Sequence, residues 1–206
     1  MIKTEAINTV VFDIGNVLTD FGWEPFLRRK GFDDEMVERI GNATTRSATW
    51  NELDRGVLTT QEIIDGFVAN DPGIEKEIRY AFSDLSGILV ARERTVPWIR
   101  ALKAAGYKVL VLSNYSKQAE EACPEAIAFL SEVDGGILSY KEKVIKPDPE
   151  IYKRLCERYD LIPERTVFID DTERNIIAAR NLGWHGIVFK NYEQVESELR
   201  SMGVDY

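Results

Sequence analysis

The apolar positions of the chain fall into two patterns. Five short runs, TVVF (9–12), YKVLVL (107–112), GGIL (135–138), TVFI (166–169) and HGIVF (185–189), are β-branched or aromatic and too short for helices. Such runs read as strands covered on both faces. The last four alternate with segments whose apolar residues recur every three or four positions. ERTVPWIRALKAAG (93–106) places Val96, Ile99 and Leu102 on one face and stops at Gly106. PDPEIYKRLCERYD (147–160) opens with Asp148 as N-cap and Pro149 in the first turn, and TERNIIAARNLG (172–183) starts at a cap residue, Thr172, and stops at Gly183. The alternation predicts an α/β fold with a doubly wound, mostly parallel, Rossmann-like sheet.

One interval breaks the rhythm. About 95 residues separate Phe12 from Tyr107, whereas a parallel crossover needs about a dozen. The interval reads as helical, with no strand of its own. DDEMVERIG, TRSATWNEL, TTQEIIDGFVAN and IEKEIRYAFSDL each carry helical spacing, and Thr59 with Glu62 forms a capping box. The expected organisation is a core of residues 1–17 and 91–206, with residues 18–90 inserted after the first strand as a helical bundle.

Composition narrows the partners. A formal charge of −9 over 206 residues disfavours nucleic acid and anionic membrane surfaces. Two cysteines, Cys123 and Cys156, without metal spacing, and the absence of a signal-like start or an 18-residue apolar run lead us to expect a soluble, cytoplasmic protein, monomer or homodimer.

Three predicted strands end in polar groups that a parallel sheet would bring to one edge: Asp13, then Ser113 and Asn114, then Asp170 and Asp171. Lys146, just before a helix start, can join them. Three carboxylates in one place repel unless a cation lies among them, and a hard ion such as Mg²⁺ takes carboxylate, carbonyl, water and phosphate oxygens. Lys146 would add positive field at a bound phosphate. Ser113 and the backbone N–H groups after it would bind the remaining phosphate oxygens. The set suits phosphoryl transfer with a carboxylate nucleophile.

VVFDIGNVL, VLVLSN, VIKPDPEIY and TVFIDDTERNIIAARNLG together resemble, in order and spacing, the four motifs of the haloacid dehalogenase superfamily. The resemblance implies a doubly wound core, a helical cap over the site and, for the phosphatases, Mg²⁺ and an aspartyl-enzyme intermediate. On this resemblance Asp13 is the nucleophile and a metal ligand. Ser113 and Asn114 bind phosphate, and Lys146 balances nucleophile and substrate charge. Asp170 and Asp171 hold Mg²⁺ directly or through water, and Asn175 supports them.

Gly15 departs from the pattern. Most phosphatases of the superfamily carry an Asp there as general acid and base, and glycine retains only the backbone carbonyl for the metal. The superfamily's dehalogenases also lack that Asp, but they lack the paired acids as well. FDIGNV is similar to the first motif of a sugar-phosphatase-like subset with caps. The expectation is therefore a phosphatase acting on a small phosphorylated metabolite, a sugar phosphate foremost. A dehalogenase acting at carbon and a catalytically reduced protein that binds a phosphometabolite are the alternatives. Asp20 and Glu24 are candidate substitute acids, with solvated loop carboxylates the more economical reading. Trp23, Phe26 and Trp50 are expected in packing between insertion and core, Arg46 on the surface, and His185 in a structural role.

Overall fold

The computed structural model describes residues 6–206. Five parallel strands form the central sheet in the order β5-β4-β1-β6-β7. These are β1 (Thr9–Phe12), β4 (Lys108–Ser113), β5 (Gly135–Leu138), β6 (Thr166–Asp170) and β7 (His185–Val188). Their bounds lie within a residue of the predicted runs, because each run is a short apolar block with turn residues at its ends.

Successive strand residues alternate faces, and both faces are covered. Val11, Leu110, Leu112 and Phe168 pack with Ile151, Tyr152 and Leu155 of α9 (Pro149–Tyr159) and Ile176 and Ala179 of α10 (Glu173–Asn181). Val10, Phe12, Val109, Val111, Val167 and Ile169 face Trp98, Ile99 and Leu102 of α6 (Thr95–Ala104) and Val195 and Leu199 of α11 (Tyr192–Ser201). Burial on both sides is why these strands show no polar alternation. Asp148 caps α9 by accepting from the Glu150 N–H at 2.9 Å. Thr172 occupies the N-cap position of α10, but its side chain caps nothing; its hydroxyl bonds Asp171 instead, at 3.2 Å.

Between β1 and α6 lie five helices: α1 (Trp23–Arg29), α2 (Asp34–Ala43), α3 (Ala48–Arg55), α4 (Thr60–Asn70) and α5 (Glu75–Ala81). The Thr59–Glu62 capping box is present in both directions. The expectation of a strandless insertion fails. β2 (Thr19–Phe21) and β3 (Leu89–Ala91) pair antiparallel where the chain leaves and re-enters the sheet layer. Three-residue strands carry too few residues for a period-2 signal to emerge from sequence. Arg92 pins this ribbon, donating to the Asn16 and Val17 carbonyls at 2.9 and 2.8 Å and to Asp20 at 2.7 Å. Thr95 adds a 2.5 Å bond to the Leu18 carbonyl. The insertion thus joins the core at the carboxyl edge of the sheet.

The core continues from the sheet into the insertion without a break: Phe26, Ile40, Ile63, Phe67 and Ile78 belong to the same buried cluster as Phe12 and Trp98. The remaining α-helices, α7 (Lys117–Ala122) and α8 (Ser139–Glu142), precede and follow β5 in the chain, and α8 packs against both β5 and α3 of the insertion. No described helix is long and apolar enough to cross a membrane. Both cysteines are free thiols.

Candidate active site

Register brings the polar strand ends together. Phe12 lies opposite Val111 on one side and Ile169 on the other, so Asp13, Ser113 and Asp170 emerge side by side at one edge. The Asp13 N–H donates to the Ile169 carbonyl at 2.9 Å, which carries the ladder up to the first site residue.

Lys146 lies at the centre. Its ammonium, with no exposed side-chain surface, contacts Asp13 Oδ1 at 2.8 Å and Asp170 Oδ2 at 2.6 Å. The loop that delivers it is held by Asn114, whose amide donates to the Lys146 carbonyl at 3.0 Å and whose oxygen accepts from the Lys146 N–H at 2.7 Å. The Asn114 side chain therefore positions Lys146, a task its sequence context did not reveal. Burial works against the charged form of Lys146, and the two carboxylates outweigh it, holding the ammonium above its ordinary value.

Asp170 is fully buried and saturated. Asn175 donates to both oxygens at 3.1 and 3.0 Å, and the Thr172 N–H donates to Oδ1 at 2.7 Å. With Lys146, all of its roughly four lone-pair sites are used. Asn175, expected from the resemblance in a supporting role, here holds the Asp170 carboxylate. Asp171 is half-buried and less engaged, accepting from Asn16 Nδ2 at 3.1 Å and from Thr172 Oγ1. Asn16, which sequence reasoning passed over, sits at φ 57°, a left-handed conformation asparagine tolerates better than most residues. From there its oxygen accepts the Phe21 N–H at 3.2 Å. It thereby links the first loop, the ribbon and the acidic pair.

One oxygen from each of Asp13, Asp170 and Asp171 lies within 4.8 Å of the others. Three carboxylates face one ammonium. Burial pushes the Asp13 carboxyl up to about 7, with the Asp170 charge adding to the effect and Lys146 and Ser113 opposing it. An excess of negative charge around oxygen donors suits a hard divalent cation. The Gly15 carbonyl belongs to a residue that lines the same cavity. Asp171 has acceptor capacity to spare, whereas Asp170 would exchange a hydrogen bond from Asn175 for a metal contact.

The cavity, about 210 Å³, is bounded by Asp13, Gly15, Asn16, Asn114, Ser116, Asp171 and Thr172 on the core side. Phe21, Leu89, Trp50 and Asp54 line it from the ribbon and the insertion, with Tyr115 and Ala119 completing the wall. Trp50 is thus a wall residue, although it also stacks on Phe67, ring centroids 6.1 Å apart. Trp23 and Phe26 do not line the cavity: Trp23 packs under the Arg46 guanidinium and Phe26 lies in the insertion's core. Arg46 is exposed and paired with Glu38. Asp20 is paired with Arg92 and more than half exposed, and Glu24 lies among Arg28 and Arg46, so neither reaches the cavity. His185 bonds the Glu164 carbonyl, away from the site.

This arrangement has relatives. A sesquiterpene phosphatase of Aspergillus oryzae is 27% identical over 199 residues, covering 96% of this chain and 97% of that protein. An (S)-2-haloacid dehalogenase of a Pseudomonas species is 29% identical over 144 residues, 69% of this chain and 63% of that one. Among solved structures, a HAD family enzyme of Bacteroides thetaiotaomicron in complex with magnesium and inorganic phosphate superposes with a TM-score of 0.65 at 22% identity, covering 92% of this chain and 99% of that one. Residues 7–183 match the sequence pattern of the haloacid dehalogenase-like hydrolases. With the parallel sheet, its order and the acid–lysine cluster at its carboxyl edge, that match makes the chain a member of the haloacid dehalogenase-like hydrolase family.

Proposed function

We propose that the protein is a Mg²⁺-dependent phosphatase that hydrolyses a small phosphomonoester through an aspartyl-phosphate on Asp13, under the insertion acting as a cap. The observation that carries this reading is the convergence of Asp13, Asp170 and Asp171 around one buried lysine. Two of those acids have no task in displacing halide from carbon, whereas a cation among them would let a phosphate dianion approach. Asp13, Asp171, the Gly15 carbonyl and Asp170 would hold the ion, which when bound supplies Lewis-acid charge neutralisation at the phosphate.

The chain's own groups have distinct tasks. Oδ1 of Asp13 is held by Lys146 and the Ile14 N–H, so Oδ2, which takes neither of those bonds, is the oxygen to attack. Lys146 favours the ionised form of Asp13 against the effect of burial and offsets the charge of the incoming phosphate. Asn114, which lines the cavity, and Ser113, buried behind it against Asp13, are the groups to meet the remaining phosphate oxygens. The small cavity supports a small leaving group, with Phe21, Leu89 and Trp50 available to an apolar face of a sugar or an isoprenoid. The phosphatase among the relatives, the magnesium and phosphate of the Bacteroides enzyme and the FDIGNV sequence support the same class.

The test is phosphate release from a panel of sugar phosphates, a nucleotide and an isoprenyl monophosphate, with and without Mg²⁺ and with Asp13→Asn. Release that requires both Mg²⁺ and Asp13 is expected. Metal-independent halide release from 2-haloacids without phosphatase activity would overturn the reading, as would metal and ligand binding without turnover.

A further inference from the structure

We propose that Asp54, carried by α3 of the insertion, is the proton donor and acceptor that Gly15 cannot be. This rests on the phosphatase reading above and assigns the group that completes it.

Three observations converge. First, Asp54 is 9% exposed, and it lines the cavity that Asp13 also lines. Among the described residues no hydrogen bond or ion pair reaches its carboxylate, although buried acids are normally paired. Second, its position is set from the core. The buried Ser139 hydroxyl donates to the Asp54 backbone carbonyl at 2.6 Å. Two residues on, Gly56 ends α3 in a left-handed conformation, φ 67°, where a Cβ would meet that of Tyr140 at 2.8 Å, and its carbonyl accepts from Lys143 at 2.5 Å. The carboxylate is thus aimed into the site by contacts between insertion and core. Third, a side chain on Gly15 would enter open space, with no heavy atom within 4 Å of an added Cβ. The place for an acid at residue 15 is open, and another acid opens onto the same cavity. Burial, reinforced by the Asp13 charge and opposed by Lys146, raises the Asp54 carboxyl to about 7, which suits an acid that must both give and take a proton near neutrality.

The chemistry balances on this residue. An Asp13 oxygen bonds to phosphorus as the ester P–O bond breaks, and the leaving oxygen takes the proton of the Asp54 carboxyl. Water then bonds to phosphorus, the Asp13 O–P bond breaks to return the carboxylate, and the Asp54 carboxylate takes the proton of the water. Because α3 belongs to the insertion, the acid is complete only when insertion and core are in contact, which ties proton transfer to a closed cavity.

The experiment compares two esters whose leaving groups differ in their need for a proton: p-nitrophenyl phosphate, and the best alkyl or sugar phosphate from the panel. For Asp54→Asn, kcat/KM on the alkyl ester should fall about 10²–10⁴-fold. The burst of p-nitrophenol should fall less than about tenfold, since that leaving group departs as the anion. Gly15→Asp in the Asp54→Asn background should recover at least about tenfold on the alkyl ester. Asp54→Ser is made beside it, so that a folding failure of one variant leaves the contrast measurable. Equal losses on both esters, or no loss on the alkyl ester, overturn the proposal while an active wild type and inactive Asp13→Asn leave the phosphatase reading standing. A folded wild type that releases phosphate from neither ester overturns both.

Discussion

Replacing Asp54 by asparagine should make the metal-free protein more stable at pH 8 than at pH 5, relative to wild type. The folded carboxyl holds its proton to about 7, whereas its ordinary value is 3.8. Between those values the folded state binds more protons than the unfolded state, so wild-type stability falls as pH rises and the loss is complete above about 7. From pH 5 to pH 7 that is about two pH steps at ~1.4 kcal/mol each, or about 2–3 kcal/mol. Asparagine does not ionise, so the Asp54→Asn change in unfolding free energy should be more favourable at pH 8 by that amount. Comparing the two pH values cancels the constant cost of burying an amide. Urea denaturation of both proteins at both pH values, in EDTA, measures it. An equal change at pH 5 and pH 8 would refute the reasoning, because it would mean that Asp54 ionises in the folded protein as it does in water. The gain would come at a site where function is assigned, as expected when an active site holds an uncompensated charge.

Two other perturbations probe the acid cluster. Lys146→Met leaves Asp13 and Asp170 facing each other without their shared ammonium, and should cost about 3–5 kcal/mol in denaturant unfolding; a smaller loss at low pH, where a carboxyl can take up a proton, is the accompanying signature. Saturating Mg²⁺ should raise the melting temperature of the wild type, by an amount equivalent to about 2.7 kcal/mol at a hundred times Kd. The rise should disappear in Asp171→Asn, and a rise that persists there would place the ion elsewhere.

Much of the fold was legible because it is written in local pattern. The five strands of the sheet are continuous apolar blocks, and α4 carries its own start signal in the reciprocal bonds of Thr59 and Glu62. The β2–β3 ribbon was not legible, since Val90 and Asp20 carry no alternation over three residues, and its stability comes from bonds that Arg92 and Thr95 make to Asp20 and Leu18, more than seventy residues earlier. α1 was missed for a related reason: it has only seven residues, and Gly22 before it makes no side-chain cap. The reading of Thr172 as a capping side chain went astray because Asp171, its neighbour, competes for the hydroxyl.

At the site, residue type and strand position were enough to single out Asp13, Lys146, Asp170 and Asp171, because a parallel sheet must bring its carboxyl ends to one edge. The resemblance to the haloacid dehalogenase motifs is what registered an absence at Gly15. What could fill that absence is a matter of three dimensions. In the run WNELDRG nothing distinguishes Asp54 from Glu52, which is partly exposed and pairs with Arg55. The packing of α3 on the core through Ser139 and Lys143 turns one of these acids to solvent and buries the other opposite the nucleophile. Chain order sets which groups a strand can present, whereas burial, and with it the proton affinity of a carboxylate, exists only once separate elements have closed around it.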